Sequence, residues 1–153
     1  MKTSAQGWKT PNESTPYREW ATKNNAMKTT ELVFNHLKEQ GLVPKFNDRG
    51  NIEFKYQMRN FLFFNNDDDE QFFQLTMPSI FEVTDDNRMA VMEAMNEVND
   101  TKKVVKLTVP KSNMVWASAE IMMDSTPELD DLIPRLLGIL LGTQEDFYKL
   151  MEV

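Results

Sequence analysis

The residue patterning predicts an α+β domain: an antiparallel sheet with helices packed on one face, in the order α-β-β-β-α-β-β-α. Three observations carry this expectation. Residues 52–58, 105–109 and 114–123 alternate apolar and polar side chains with the period of two that a half-buried strand requires. The segments between strands are short and polar, and tight turns of this kind join antiparallel neighbours. Residues 29–40, 86–99 and 129–141 carry apolar stripes at helical spacing, segregated from the strand runs.

The elements follow in order. Residues 1–27 are polar and rich in Thr, Asn and Lys, and read as a partly ordered leader ahead of a single domain at 28–153. Thr15-Pro16 is a possible short helix start that would place Tyr17 and Trp20 three apart, able to pin the leader to the body. A first helix is expected over 29–40, with Leu32, Val33, Leu37 and His36 on one face and Gly41 as its stop. Asn47-Asp48-Arg49-Gly50 is a turn signal. Beyond it, Ile52, Phe54, Tyr56 and Met58 form one face of a strand and Glu53, Lys55, Gln57 and Arg59 the other. Residues 61–64, Phe-Leu-Phe-Phe, are apolar on both parities, so this strand should be covered on both sides or lie at an interface.

An acidic turn spans residues 65–70, and a return strand over 72–77 is expected to end at Pro78. The next helix, over 86–99, presents Met89, Met92, Ala94, Met95 and Val98 as its core stripe, capped by Asp85 or Asp86. Val105, Leu107 and Val109 alternate with Lys106 and Thr108, residues 110–113 turn the chain, and a strand over 114–123 returns. Ser125-Thr126-Pro127-Glu128 is a helix-start signal. The Leu-rich helix that follows is expected to bend or restart near Pro134 and to break at Gly142.

A formal net charge of −7 disfavours nucleic acid and anionic membrane surfaces, both of which recruit clustered Lys and Arg. No cysteine is present, which removes disulfides, thiol nucleophiles and thiolate metal sites and suits a reducing, cytoplasmic compartment. The N-terminus lacks the apolar core of a signal peptide, and the longest apolar run, 136–141, is too short to span a bilayer.

Chemistry-bearing patterns are scarce. The single histidine, His36, has Gln40 at i+4 and Leu32 at i−4, which is no metal site because zinc requires three or four ligands. The run Asp67-Asp68-Asp69-Glu70 fails as a calcium loop, since the sixth position is Phe72 where Gly is needed. Asp130-Asp131 and Glu145-Asp146 are adjacent on a helix, so their side chains diverge rather than converge for acid–base work. No phosphate-cradling glycine loop and no nucleophile-elbow motif occurs, and no cofactor, catalytic residue or metal ligand is assigned. Gly138 and Gly142 share one helix face, where ordinary packing is the simpler reading. The eleven methionines are read chiefly as core filling.

The feature that points to function is the parity of the last strand. Val115, Ala117, Ala119, Ile121 and Met123 suit a surface under a helix. The opposite face should be wet, yet it carries Met114, Trp116 and Met122 beside Ser118 and Glu120. Apolar side chains on a wet face mark a partner surface, and Met114, Trp116 and Met122 are the candidate partner-binding residues. Equally, the leader could fold across that face through Tyr17 or Trp20.

The run Met92-Glu93-Ala94-Met95-Asn96-Glu97-Val98-Asn99, followed by a basic gap, a hairpin and a long Leu-rich helix, resembles the YbjN-like proteins, a family proposed to regulate bacterial sensory transduction. In that family the second helix commonly reads apolar-Asn-x-apolar-Asn, which Asn96 and Asn99 match. The resemblance covers residues 28–151. It implies the fold of type III secretion chaperones and a non-enzymatic, often dimeric domain that binds another protein segment or a second copy of itself. It supplies no catalytic residues, and Trp116 with its flanking methionines matches no feature of the family. The alternative from the residues alone is a sensor for a small ligand or anion, with the Phe-rich hairpin lining its pocket.

Overall fold

The computed structural model describes residues 28–66, 68–124 and 127–153; Tyr17, Trp20 and the Ser125-Thr126 helix signal lie outside them. Helix α1 spans Thr29–Glu39. Its end is a Schellman motif: Gly41, at φ 80°, donates to the Lys38 carbonyl and Leu42 to the Leu37 carbonyl, both at 3.0 Å. Strand β1 (Lys45–Phe46) is an addition to the expected order, a two-residue strip pairing with β2 (Ile52–Tyr56). The turn between them is the one read from the sequence. Asn47 Oδ1 accepts from the backbone N–H of Arg49 and of Asn51, and Gly50 adopts φ 76°.

Strand β2 ends at Tyr56, two residues earlier than its alternation suggests. Tyr56 pairs with Arg59 at the start of β3 (Arg59–Phe63), leaving Gln57 and Met58 as a two-residue loop with φ of 47° and 63°. Both central residues of such a loop need positive φ, normally a task for Asn or Gly. Met58 is therefore 96% exposed and not a core residue. Strand β4 (Phe72–Glu82) does not stop at Pro78. Its pairing with β3 reaches Leu62↔Thr76, so Pro78 stands beyond that ladder, and a register shift between Met77 and Phe81 absorbs the missing donor.

Helix α2 (Arg88–Thr101) starts later than expected. Its N-cap position is Asn87, not Asp85 or Asp86, and no side chain caps it; Asn87 instead accepts from the Thr84 N–H at 2.8 Å and donates its own N–H to the Thr84 hydroxyl, which fixes the turn leading into the helix. Its buried stripe is Val91, Ala94, Met95 and Val98; Met89 and Met92 face solvent. The expected stripe was thus rotated toward the methionines, and of the three only Met95 fills the core. Strands β5 (Val105–Thr108) and β6 (Met114–Met122) form the second hairpin, with Asn113 at φ 55° in its turn. Helix α3 (Leu129–Leu150) runs unbroken through Pro134 and Gly142, from a Glu128 N-cap.

All pairings in the six-stranded sheet are antiparallel, in the order β1-β2-β3-β4-β6-β5. Ile52, Phe54, Phe61, Phe63, Phe73, Leu75, Met77, Val115, Ala117, Ala119 and Leu107 project from one face into a single core with the apolar sides of the three helices. The alanines of β6 leave room for α3, whose Leu136, Leu137, Leu140 and Phe147 are buried. A polar chain clamps α3 to the sheet. Arg59 Nε donates to Gln144 Oε1, Gln144 Nε2 to the Tyr148 hydroxyl, and Tyr148 to the Ile80 carbonyl at 2.6 Å. This ties the β4 irregularity to the last helical turns.

Candidate functional site

With every described helix on one face, the second face of the sheet is set by the other parity. Register places Leu62 beside Thr76, Thr76 beside Ser118, Ser118 beside Lys106, and Trp116 beside Thr108. The expectation that this face is wet fails at its centre. Thr76 is fully buried, Ser118 and Leu62 are buried, and Trp116 is half-buried. Thr76 and Ser118 share a 2.8 Å hydrogen bond between their hydroxyls, the satisfaction that burial demands of such groups. Only the flanks are wet: Glu53, Lys55, Asn60, Lys106 and Thr108 are exposed. Lys106 Nζ reaches the Glu120 carboxylate at 2.9 Å, and Gln74 donates to the same group.

Trp116 is the anomaly of this face. Its indole Nε1 is shielded from solvent and meets no acceptor among the described residues. A buried donor without an acceptor is costly, of order 1–3 kcal/mol, so native structures rarely leave one. Met114 is half-buried on the same parity, whereas Met122, at the strand's end, is 67% exposed. The three sequence candidates therefore divide: Met114 and Trp116 flank the buried centre, and Met122 stands away from it. Leu62 is buried on this face as the two-sided apolar run 61–64 led one to expect, whereas Thr76 and Ser118 were missed because polar side chains give no burial signal. Toward the β1 edge the face continues into a cavity of about 760 Å³ over Lys45, Lys55, Asn60, Leu62 and Pro78. Of the phenylalanines Phe54 lines it, while Phe61, Phe63 and Phe73 pack in the core.

A second groove, of about 640 Å³, runs between α3, the end of β6 and the α2–β5 connection. Ile121, Leu132 and Ile139 line it, with Lys103 and Arg135 among its cations, and the space above Gly138 and Gly142 is open. Lys102 at its border pairs with Asp146, which Lys149 also approaches at 3.7 Å. Hydrogen bonding from Lys102 holds the Asp146 carboxyl below its usual range. Because the folded-state value is lowered, this pair stabilises the fold above the carboxylate range and loses its effect as pH falls through it. Asp146→Asn is expected to cost about 0.5 kcal/mol at neutral pH, the scale of a part-exposed pair. That difference from wild type should vanish in acid, as read by urea unfolding at both pH values.

Of the remaining candidates the structure brings two together: His36, buried on α1, has its Nδ1 3.5 Å from Asp130 Oδ1. The acidic turn has Asp68 and Asp69 exposed, and Asp67 lies outside the described residues. Among the described residues no three His, Asp or Glu side chains are grouped to hold a metal ion, and no helix is long and apolar enough to cross a membrane. Asn99, which the family pattern singles out, has a structural task. Its side chain donates to the Leu107 carbonyl at 3.2 Å and accepts from the Leu107 N–H at 2.7 Å, covering the outer edge of β5.

Comparison with known proteins agrees with this architecture. The family model YbjN, described as "Putative bacterial sensory transduction regulator", matches residues 29–152. A search of the curated proteins found no match. Among solved structures, the crystal structure of an uncharacterized protein from Methanothermobacter thermautotrophicus is similar at 16% identity and a TM-score of 0.52. That similarity covers 80% of this chain and 96% of the other, and concerns the fold.

Proposed function

This chain belongs to the YbjN family, and from that premise we propose that it is a non-enzymatic regulatory domain that works by binding an extended segment of another protein across the second face of its sheet. The observation that carries the reading is Trp116: a large, half-buried aromatic with an unanswered donor, on a face that no described helix occupies. Anchors of protein interfaces are enriched in such aromatics, set in desolvated centres with a polar rim. Here the centre is Leu62, Thr76, Ser118 and Trp116, and the rim is Lys55, Asn60, Lys106, Thr108 and Glu120. Once a turn of the indole exposes Nε1, a backbone carbonyl of a bound segment would supply the acceptor that it lacks. The family's chaperone-like character and the scarcity of catalytic patterns support the same reading.

A random-peptide display library selected on the wild-type protein tests it. Selected peptides should bind Trp116→Ala at least about tenfold more weakly, the loss typical of an interface anchor. They should bind Met89→Lys, altered on the exposed side of α2, as they bind wild type. Peptides indifferent to position 116 would overturn the reading, provided both variants keep the wild-type unfolding midpoint. Light scattering on the same proteins shows whether the segment bound is that of a second copy.

A further inference from the structure

The groove between α3, the end of β6 and the α2–β5 connection shares no lining residue with the Trp116 face and plays no part in the reading above. Its volume, about 640 Å³, falls within the roughly 300–1,000 Å³ of pockets that hold small ligands. A pair of glycines opens it. Gly138 and Gly142 stand one turn apart inside α3, and a Cβ at either position would make no contact within 4 Å beyond the helix itself. Neither glycine therefore answers a packing demand, and both cost helix stability relative to alanine. Along the trough, Ile121, Leu132 and Ile139 are only half-buried, and Val104 is 44% exposed. Val104 also holds a φ of 66°, unfavourable for a β-branched residue, and such strain gathers at ligand sites.

The charge of the groove opposes that of the chain. Lys102, Lys103 and Arg135 line it, in a protein of formal net charge −7. Asp146 answers Lys102, but Lys103 and Arg135 form no ion pair among the described residues, although Asp131 lies one turn before Arg135. We propose that this groove binds an amphipathic carboxylate, its apolar chain lying along the trough over Gly138 and Gly142 and its headgroup met by Arg135 and Lys103. A guanidinium matches a carboxylate through two parallel hydrogen bonds, and the neighbouring ammonium adds a second charge. From Leu132 to Gly142 the helix rises about 15 Å, which suits an extended chain. A compact inorganic anion would leave the apolar walls wet, and an uncharged chain would leave both cations unanswered. Burial of methylenes supplies affinity here, and the headgroup supplies the choice of ligand.

Decanoate, kept below its micelle-forming concentration, is the probe. Titrated into the isotope-labelled full chain, it should move the amide resonances of Val104, Ile121, Gly138 and Gly142 along a saturating curve. Gly138→Leu should abolish that binding while keeping or raising the unfolding midpoint, because the space is open and leucine favours the helix. Lys103→Gln combined with Arg135→Gln should weaken binding about tenfold, the scale of one hydrogen bond to a charged group. Both side chains are exposed, so this variant keeps the test decisive even where leucine disturbs α3. The neutral 1-decanol should bind wild type about tenfold more weakly than decanoate, for the same reason. No saturable shift on wild type, undiminished affinity in a folded Gly138→Leu, or decanol binding as tightly as decanoate each overturns the proposal. So does an acidic amphipathic peptide that saturates these amides where decanoate does not, which would make the groove a seat for a partner helix.

Discussion

Phe147→Ala is expected to lower the unfolding free energy by about 4 kcal/mol, the cost of emptying a large aromatic site in a core that cannot fully collapse. Phe147 is fully buried near the end of α3, edge-on to Phe81 with ring centroids 5.5 Å apart. Its removal opens a void between the last helical turns and the irregular stretch of β4. The damage should spread through the neighbouring clamp, because Tyr148 and Gln144 reach Ile80 and Arg59 from the adjacent positions of the helix. Urea unfolding followed by far-ultraviolet circular dichroism measures the change. A loss below about 1 kcal/mol would mean that the end of α3 contributes little to the cooperative core. Phe147→Leu, which keeps most of the volume, should recover over half of the deficit.

The second large effect concerns Asn99. Asn99→Leu removes both hydrogen bonds to Leu107 and should cost about 2 kcal/mol, because the Leu107 N–H and carbonyl lose their partner on a buried residue. It should also change behaviour at high concentration. Strand β5 is the edge of the sheet, and the side chain of Asn99 occupies the groups through which another strand would pair. Light scattering of Asn99→Leu after mild heating should show aggregates that wild type does not form at the same fraction unfolded. A variant that is destabilised but no more aggregation-prone would reduce Asn99 to an ordinary helix–strand tie.

The value of Asn99 was legible in the sequence only as a family pattern, since nothing in the letters Val98-Asn99-Asp100 says which strand edge an amide will meet. Other parts were legible directly. The Asn47–Gly50 turn, the stop at Gly41 and the small inward face of β6 follow from side-chain chemistry acting over a few residues, and the structure realises each. The error in α2 is instructive for the opposite reason. Residues 89, 92, 95 and 98 and residues 91, 94, 95 and 98 are both helical stripes, and the choice between Met89 and Val91 depends on where α3 and β5 press against the helix. The continuation of β4 past Pro78 likewise depends on the β3 ladder having already ended, a fact of pairing and not of composition.

The candidate site divides along the same line. That Trp116 and Met114 oppose the alanine face of β6 was determined by the sequence alone, because strand parity is a property of the extended backbone and holds whatever surrounds it. That their face is dry at its centre, with Leu62, Thr76 and Ser118 drawn into one buried patch across β3, β4 and β6, was decided only by the tertiary structure. Those residues are distant along the chain and become neighbours through antiparallel register, and solvent exclusion is a property of all the chain packed around a point. Local chemistry orients each side chain; only the assembled sheet decides which of them share a surface and whether water reaches it.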